Sequence, residues 1–403
     1  MKVLMFGWEF PPFKSGGLGT YLYGFTKALF HKNVKVTFVM PHTGMEIKPG
    51  FVNVVQADGS YSHVKLFDIK GFDLTPYNPS IELSTSHSAG SKVGSSKQAY
   101  GLDFFSKVRD YTVASVHKVK GEACDLIHCH DWMTYPAGIL LKKIKRKPLV
   151  VTIHSTEYDR TGSLNPNHNI KEIERRGLHE ADKVITISNY MKNQLIERYN
   201  IPEEKIRVVY NGLDKEHYVL KDKPKVGVKE KIVLFLGRLT IQKGPDWFLE
   251  AAYRVLKIDP NVKFVVVGNG DMLPQLINKA IAMRIIDKIV FAGFREDVQK
   301  YYSSADVYVM PSVAEPFGLT ALEAMASHTP VIISKQAGVA EVVQNCMKAD
   351  FWDSDELANK ILGVLHYNAL KNSMSQNGFH EVQKFSWDEV AENCINVYKE
   401  VIN

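Results

Sequence analysis

Pro311-Ser-Val-Ala-Glu-Pro-Phe-Gly-Leu-Thr-Ala-Leu-Glu-Ala-Met325 sets two carboxylates, Glu315 and Glu323, eight residues apart. Residues 306–310 just before it (Asp-Val-Tyr-Val-Met) predict a β-strand, and residues 318–327 predict a helix opening on Gly-Leu-Thr. Glu315 then lies in a strand-to-helix loop and Glu323 on the second helical turn. A helix start presents unpaired backbone N–H groups and the positive end of a dipole, so Gly318, Leu319 and Thr320 suit a diphosphate. Glu323 is placed to accept hydrogen bonds from a ribose, and Glu315 to reach whatever hangs from the phosphate. Such a layout holds a sugar nucleotide by its leaving group. The competing reading is an ordinary amphipathic helix with a solvated Glu323.

Outward from this segment the chain alternates strand and helix. In the first half, residues 2–7, 35–40, 125–129, 149–153, 183–187 and 206–210 read as strands, and 18–30, 132–144 and 190–198 as helices. The lysine-rich stretch 221–230, with Pro224 and Gly227 and no apolar period, reads as a linker. Beyond it the alternation restarts, with strands at 231–237, 262–268, 288–291, 306–310 and 330–333 and helices near 247–257, 272–283 and 297–303. This pattern predicts two doubly wound α/β domains with ligand crevices at their strand C-termini and a cleft between them. A last helix is expected over 387–402. Residues 50–120 are less regular, and 84–98, with six serines and two glycines, predict a mobile loop.

A chain of 403 residues accommodates two such cores. Hydrophobic residues at 45% and charged residues at 23% are ordinary for a soluble protein, and no apolar run reaches membrane-span length. The net charge of +6 fits an anionic small substrate without demanding nucleic acid. The basic cluster at 142–147 ends a predicted helix, where cations complement the dipole. Cys124, Cys129, Cys346 and Cys394 lack metal or redox spacing, so free thiols in a reducing cytoplasm are expected.

Four further stretches sit where strands meet helices. Lys14-Ser-Gly-Gly-Leu18 pairs a mobile cation with glycines that let backbone approach a phosphate. His128-Cys-His-Asp-Trp132 puts two imidazoles on one strand face; with no third ligand at suitable spacing, no metal is expected. Asp131 also suits a helix N-cap. Val151-Thr-Ile-His154 ends a buried strand on a histidine, either facing the crevice or bonding a neighbouring carbonyl. Gly237-Arg-Leu-Thr-Ile-Gln-Lys-Gly244 brings Arg238 and Lys243 to one strand tip, as a departing diphosphate requires. Gly268-Asn-Gly-Asp271 reads as turn chemistry, and Asp355 as the cap of a helix over 356–365.

These motifs, in this order, resemble the retaining glycosyltransferases of the GT-B fold. Glu-x7-Glu around Glu-Pro-Phe-Gly-Leu is similar to their signature. Lys-x-Gly-Gly-Leu, His-x-His-Asp-Trp and Gly-Arg-x-x-x-x-Lys-Gly resemble the corresponding stretches of glycogen and starch synthases. The resemblance implies two Rossmann-like domains, 1–220 and 221–385, whose parallel sheets face across a cleft, and a terminal helix, 386–403, crossing back to the first domain. It implies transfer of α-glucose from UDP- or ADP-glucose to a glucan end without a cofactor. Lys14, Gly16, Gly17, Arg238, Lys243, Gly318, Leu319, Thr320 and Glu323 would bind the donor, and Glu315, His154 and Asp131 would serve the reacting sugar. The stretch His154-Ser-Thr-Glu-Tyr158 departs from the His-Asn of bacterial glycogen synthases. Two alternatives therefore stand: a family-4 transferase with a lipid-linked or other glycan acceptor, and an epimerase or non-catalytic carbohydrate-binding relative.

Overall fold

The computed structural model describes residues 1–11, 17–41, 64–69, 102–163, 165–219 and 230–402. Thirteen strands among them form two wholly parallel sheets. The first contains β1 (Lys2–Phe6), β2 (Lys35–Pro41), β3 (Val64–Ile69), β4 (Leu126–His130), β5 (Leu149–Ile153), β6 (Lys183–Thr186) and β7 (Ile206–Val208), in the order β3-β2-β1-β4-β5-β6-β7. The second contains β8 (Lys231–Leu236), β9 (Val262–Val267), β10 (Ile289–Gly293), β11 (Val307–Met310), β12 (Val331–Ser334) and β13 (Met347–Ala349), in the order β10-β9-β8-β11-β12-β13. Both orders reverse direction at one point, between β1 and β4 and between β8 and β11. Doubly wound sheets bind ligands there, outside the strand C-termini.

Unbroken apolar strands explain the arrangement. β5 (Leu-Val-Val-Thr-Ile) and β11 (Val-Tyr-Val-Met) are buried along their whole length, as parallel strands covered on both faces must be. The first sheet extends further than the sequence pattern predicted, through the edge strand β3. The helix Leu102–Val119 likewise falls within the stretch read as irregular. The helices His168–Glu180 and Asn368–Val382 were also not anticipated. The predicted linker and the serine-rich loop lie outside the described residues, apart from Glu230 at the linker's end.

The helix near Asp355 begins earlier than expected. Its cap is Asp353, whose carboxylate accepts from the Glu356 N–H at 2.8 Å, while Asp355 turns outward to Arg254 at 2.6 Å.

The terminal helix Trp387–Ile402 crosses back to the first sheet and packs on the helix Gly17–His31. The Trp387 ring fills the face left bare by Gly24, where a Cβ would stand 2.3 Å from the indole, and meets the Tyr21 ring edge-on at 5.3 Å. Further along, the Tyr398 hydroxyl lies 2.7 Å from His128 Nδ1 on β4, and Glu400 pairs with Arg207 at 2.7 Å. The first core thus includes residues from the chain's far end.

Removing the indole should leave a gap between two helices. Trp387→Ala is expected to lower stability by about 2–3 kcal/mol, since this ring is only partly buried. Trp352→Ala, at a site 53% exposed, should stay within about 0.5 kcal/mol of the parent. Urea unfolding of the two variants measures both.

Candidate functional site

The second switch point is built by two loops that touch. The 3-10 turn Ile241–Lys243 after β8 ends on Gly244 at φ 64°. A Cβ there would lie 2.1 Å from the Pro311 carbonyl oxygen, so only glycine allows this approach. The Gln242 carbonyl accepts from the N–H groups of Val313 (3.0 Å) and Ala314 (3.3 Å). Strapped together in this way, the loops place Lys243 Nζ 2.6 Å from Glu315 Oε2, with Lys243 partly exposed and Glu315 buried. Ser312 Oγ donates to the same oxygen at 3.4 Å. Glu315 is fixed at its backbone too: its N–H donates to the Gln336 carbonyl, and its carbonyl accepts from Gly338 N–H at 2.9 Å.

Gly318, at φ 110°, is the N-cap residue of the helix Leu319–Ala326, so the amides after it point out of the helix start beside Glu315. Thr320 Oγ1 lies 3.5 Å from Met310 Sδ. Glu323, on the second turn as expected, accepts from the Tyr218 hydroxyl (2.9 Å) and the Tyr302 hydroxyl (2.8 Å). Burial and the neighbouring carboxylate push both phenols well up, so they remain donors. Arg238 follows β8 on a loop braced by the Gly268-Asn-Gly-Asp271 turn, where Leu239 N–H meets the Asn269 carbonyl at 2.9 Å and Met272 N–H meets the Leu239 carbonyl at 3.1 Å.

Across the cleft, Gly17 opens the helix after β1, and a Cβ on it would stand 3.9 Å from Leu319 Cδ1. The two helix starts therefore face each other. Lys14 and Gly16 lie outside the described residues. A second contact joins the halves at Gly162, where a Cβ would be 3.0 Å from Ile241 and 3.9 Å from Val313.

His128, His130 and His154 lie in a file, the first two fully buried and His154 partly so. His128 Nε2 lies 2.7 Å from Thr152 Oγ1, so with Tyr398 both its ring nitrogens meet hydroxyls. His130 Nδ1 lies 3.1 Å from His154 Nε2, and these rings stack at 5.4 Å. Burial lowers all three, His128 and His154 to about 3, so the imidazoles are neutral at physiological pH. His154 is the least buried of the three.

Asp131 is not a helix cap. The helix begins at Tyr135 behind Thr134, and Asp131 instead adopts φ 61°, a left-handed conformation uncommon outside glycine. Its Oδ1 accepts from His154 N–H at 2.7 Å. Burial raises its carboxyl to about 6, opposed by the His154 amide, the Arg160 charge and the Ser155 amide.

The sequence reading missed the support behind His154. Arg160, on the short helix Glu157–Arg160, donates to the Ser155 carbonyl (2.7 Å), Glu157 (3.0 Å) and Glu174 (2.5 Å). Glu174 also accepts from Tyr199. Asp159 accepts from Thr156 N–H (2.8 Å) and Gln194 (2.8 Å). Charged residues three apart, Glu157 and Arg160, were the available signal; Glu174 reads as a surface helix position until the fold buries it.

Asp131 carries a pH signature. Its folded-state carboxyl binds a proton more tightly than the ordinary value of 3.8, so ionising it costs stability. That cost is absent below about pH 4, grows toward pH 6 and is constant above. Asp131→Asn keeps an acceptor for His154 N–H. It should gain on the order of 2 kcal/mol over the parent at pH 8 and little at pH 4, by urea unfolding at each pH.

Comparison with known proteins agrees with this geometry. The glycosyl transferases group 1 family matches residues 219–381, and glycosyltransferase family 4 matches residues 91–217. An uncharacterized glycosyltransferase of Methanocaldococcus jannaschii is 32% identical, over 99% of this chain and 98% of its own. The glycogen synthase of Mycobacterium tuberculosis is 28% identical over 99% of this chain and 94% of its own. Among solved structures, Anabaena HepE in complex with UDP-glucose superposes with a TM-score of 0.74 at 19% identity, covering 99% of this chain and all of that one. The alternation, the two reversal points and the paired loops converge on one assignment: the chain belongs to the group 1 glycosyltransferases and is a hexosyltransferase of the GT-B fold.

Proposed function

We propose that the chain moves α-glucose, with retention, from UDP- or ADP-glucose to the non-reducing end of an α-1,4-glucan. The observation that carries this reading is the Lys243–Glu315 pair, 2.6 Å apart beside the helix start at Gly318 and facing Gly17 across the cleft. A cation, a carboxylate and free amides within one sheet edge suit a diphosphate with a sugar attached. The full-length similarity to a glycogen synthase supports the glucan, and a UDP-glucose complex on the same fold supports the donor.

In this reading residues 221–385 hold the nucleotide, residues 1–220 close over the sugar, and 386–403 tie the two. Arg238, Lys243 and the Gly318–Thr320 amides neutralise the departing diphosphate, and Glu323 holds the ribose. Lys14, Gly16 and Gly17 approach the phosphates from the other side, while Asp131 and neutral His154 orient the glucose. The bond from C1 to the diphosphate breaks as the acceptor oxygen bonds C1 from the same face. The acceptor's proton passes to the departing phosphate oxygen. Glu315 orients the sugar and stabilises positive charge on the ring.

Nucleotide release measured with UDP- and ADP-glucose, against glycogen, maltooligosaccharides and small sugar acceptors, tests the assignment. Glucan-dependent release is expected. Release confined to a non-glucan acceptor would replace the acceptor, and no release from either donor would remove the reading. Lys243→Ala and Arg238→Ala should each lower turnover by roughly a hundredfold or more, the effect of losing one charge-stabilising group in a water-poor site. Near-normal turnover with folding intact would remove the leaving-group role.

A further inference from the structure

The loop that carries Glu315 is held from both halves of the molecule. On its own side, Gly338 N–H donates to the Glu315 carbonyl and Val339 N–H to the Phe317 carbonyl at 2.7 Å. From the other half, Ser188 Oγ, fully buried, donates to the Pro316 carbonyl at 2.6 Å while accepting from Met191 N–H at 3.1 Å. Ser188 thus caps the helix Asn189–Tyr199 of the first sheet and grips the Glu315–Gly318 turn of the second.

The same helix start receives a carboxylate from the second half. Glu341 Oε2 accepts from Asn189 N–H at 2.9 Å, and Oε1 from Tyr190 N–H at 2.5 Å. Asn189 Nδ2 and the Tyr210 hydroxyl add bonds of 3.2 Å each. Two of the N–H groups a helix leaves unpaired are therefore satisfied by a residue from the opposite sheet, with the dipole favouring its charge. Gly338 lets the parts meet: a Cβ there would lie 2.2 Å from the Pro316 carbonyl oxygen and 2.6 Å from Ser188 Cβ.

We infer that Ser188 and Glu341 are positioning residues that make closure of the cleft and assembly of the Glu315–Gly318 turn a single event. Neither touches the proposed donor; both act through the turn that does. The inference rests on the reading that this turn holds the donor. When the halves separate, the Pro316 carbonyl loses its buried donor and the helix start loses its carboxylate together. The turn is then held only from its own side. Donor binding, which needs the turn in place, is thereby coupled to the closed arrangement.

The experiment compares the parent, Glu341→Ala, Glu341→Gln and Ser188→Ala by small-angle scattering without nucleotide, then by kinetics with UDP- or ADP-glucose. Glu341 is exposed, so its variants fold even where loss of the buried Ser188 hydroxyl weakens the chain. Expected are a larger radius of gyration for Glu341→Ala and a roughly tenfold fall in kcat/KM. The loss should fall on donor KM and kcat rather than acceptor KM, with partial recovery in Glu341→Gln. A purely structural role would lower thermal stability without separating donor from acceptor KM. An unchanged radius of gyration in both alanine variants overturns the clasp. A larger radius with unchanged donor KM and kcat overturns the positioning role. Failure of the parent to bind UDP or ADP in calorimetry would instead remove the donor reading, and the scattering comparison would still decide whether the clasp exists.

Discussion

The geometry of the cleft depends on how closely one backbone can approach another. The Lys243 ammonium meets the Glu315 carboxylate only because the turn after β8 lies in van der Waals contact with the loop after β11, at the Pro311 carbonyl. That contact is possible at a residue without a side chain and in a left-handed conformation, and Gly244 supplies both. Around it the other loops are braced in turn. The Asn269 carbonyl supports the Arg238 segment, the Gln242 carbonyl supports Val313 and Ala314, and Gln336 and Gly338 pin Glu315. The charge of the carboxylate is largely compensated at short range, so the loop can be buried before any ligand arrives.

The two halves use opposite electrostatics. The second is organised by cations and amides that attract negative charge. The first keeps its histidines uncharged: His128, His130 and His154 are neutral because burial removes the water an imidazolium needs. The Arg160 guanidinium stands among Glu157, Asp159 and Glu174, and burial raises the Glu174 carboxyl to about 7 despite that neighbour. Buried ion pairs add little net stability but fix orientation firmly, since a displaced partner would be left charged in a low dielectric. Here the orientation fixed is that of the Ser155 carbonyl and the His154 backbone.

Much of this was legible in the sequence. Buried parallel strands read as unbroken apolar runs, and the strand-to-helix turns carry glycines, cations and carboxylates in recognisable order. The places of Glu315, Lys243, Gly318 and the histidines at strand ends and helix starts were legible because they follow from a periodicity of two and from where strands stop. Three kinds of feature escaped. The edge strand β3 and the helix Leu102–Val119 occupy a stretch whose irregular surroundings obscured the pattern. Asp131, read for the sugar site, suited a cap as well because an aspartate before a helix often is one; its turn keeps the chain non-helical for three more residues, through Thr134. Glu174, Ser188 and Glu341 act through partners far away in the chain, and no local spacing announces a contact such as Glu341 to Tyr190.

The crossing of Trp387–Ile402 onto the first sheet has a consequence for the order of folding. Chains generally fold from the N-terminus as they are synthesised. Here the helix Gly17–His31 exposes the groove beside Gly24 and Tyr21, and β4 carries a buried histidine awaiting the Tyr398 hydroxyl, until the last of the described residues has emerged. One of the two clusters that pack the second sheet draws only on residues after 230, so that face can form before the first half is complete. The half made earlier is thus completed later, and during the interval an apolar groove on it stands open to any amphipathic helix that passes, including the equivalent helix of a neighbouring nascent chain.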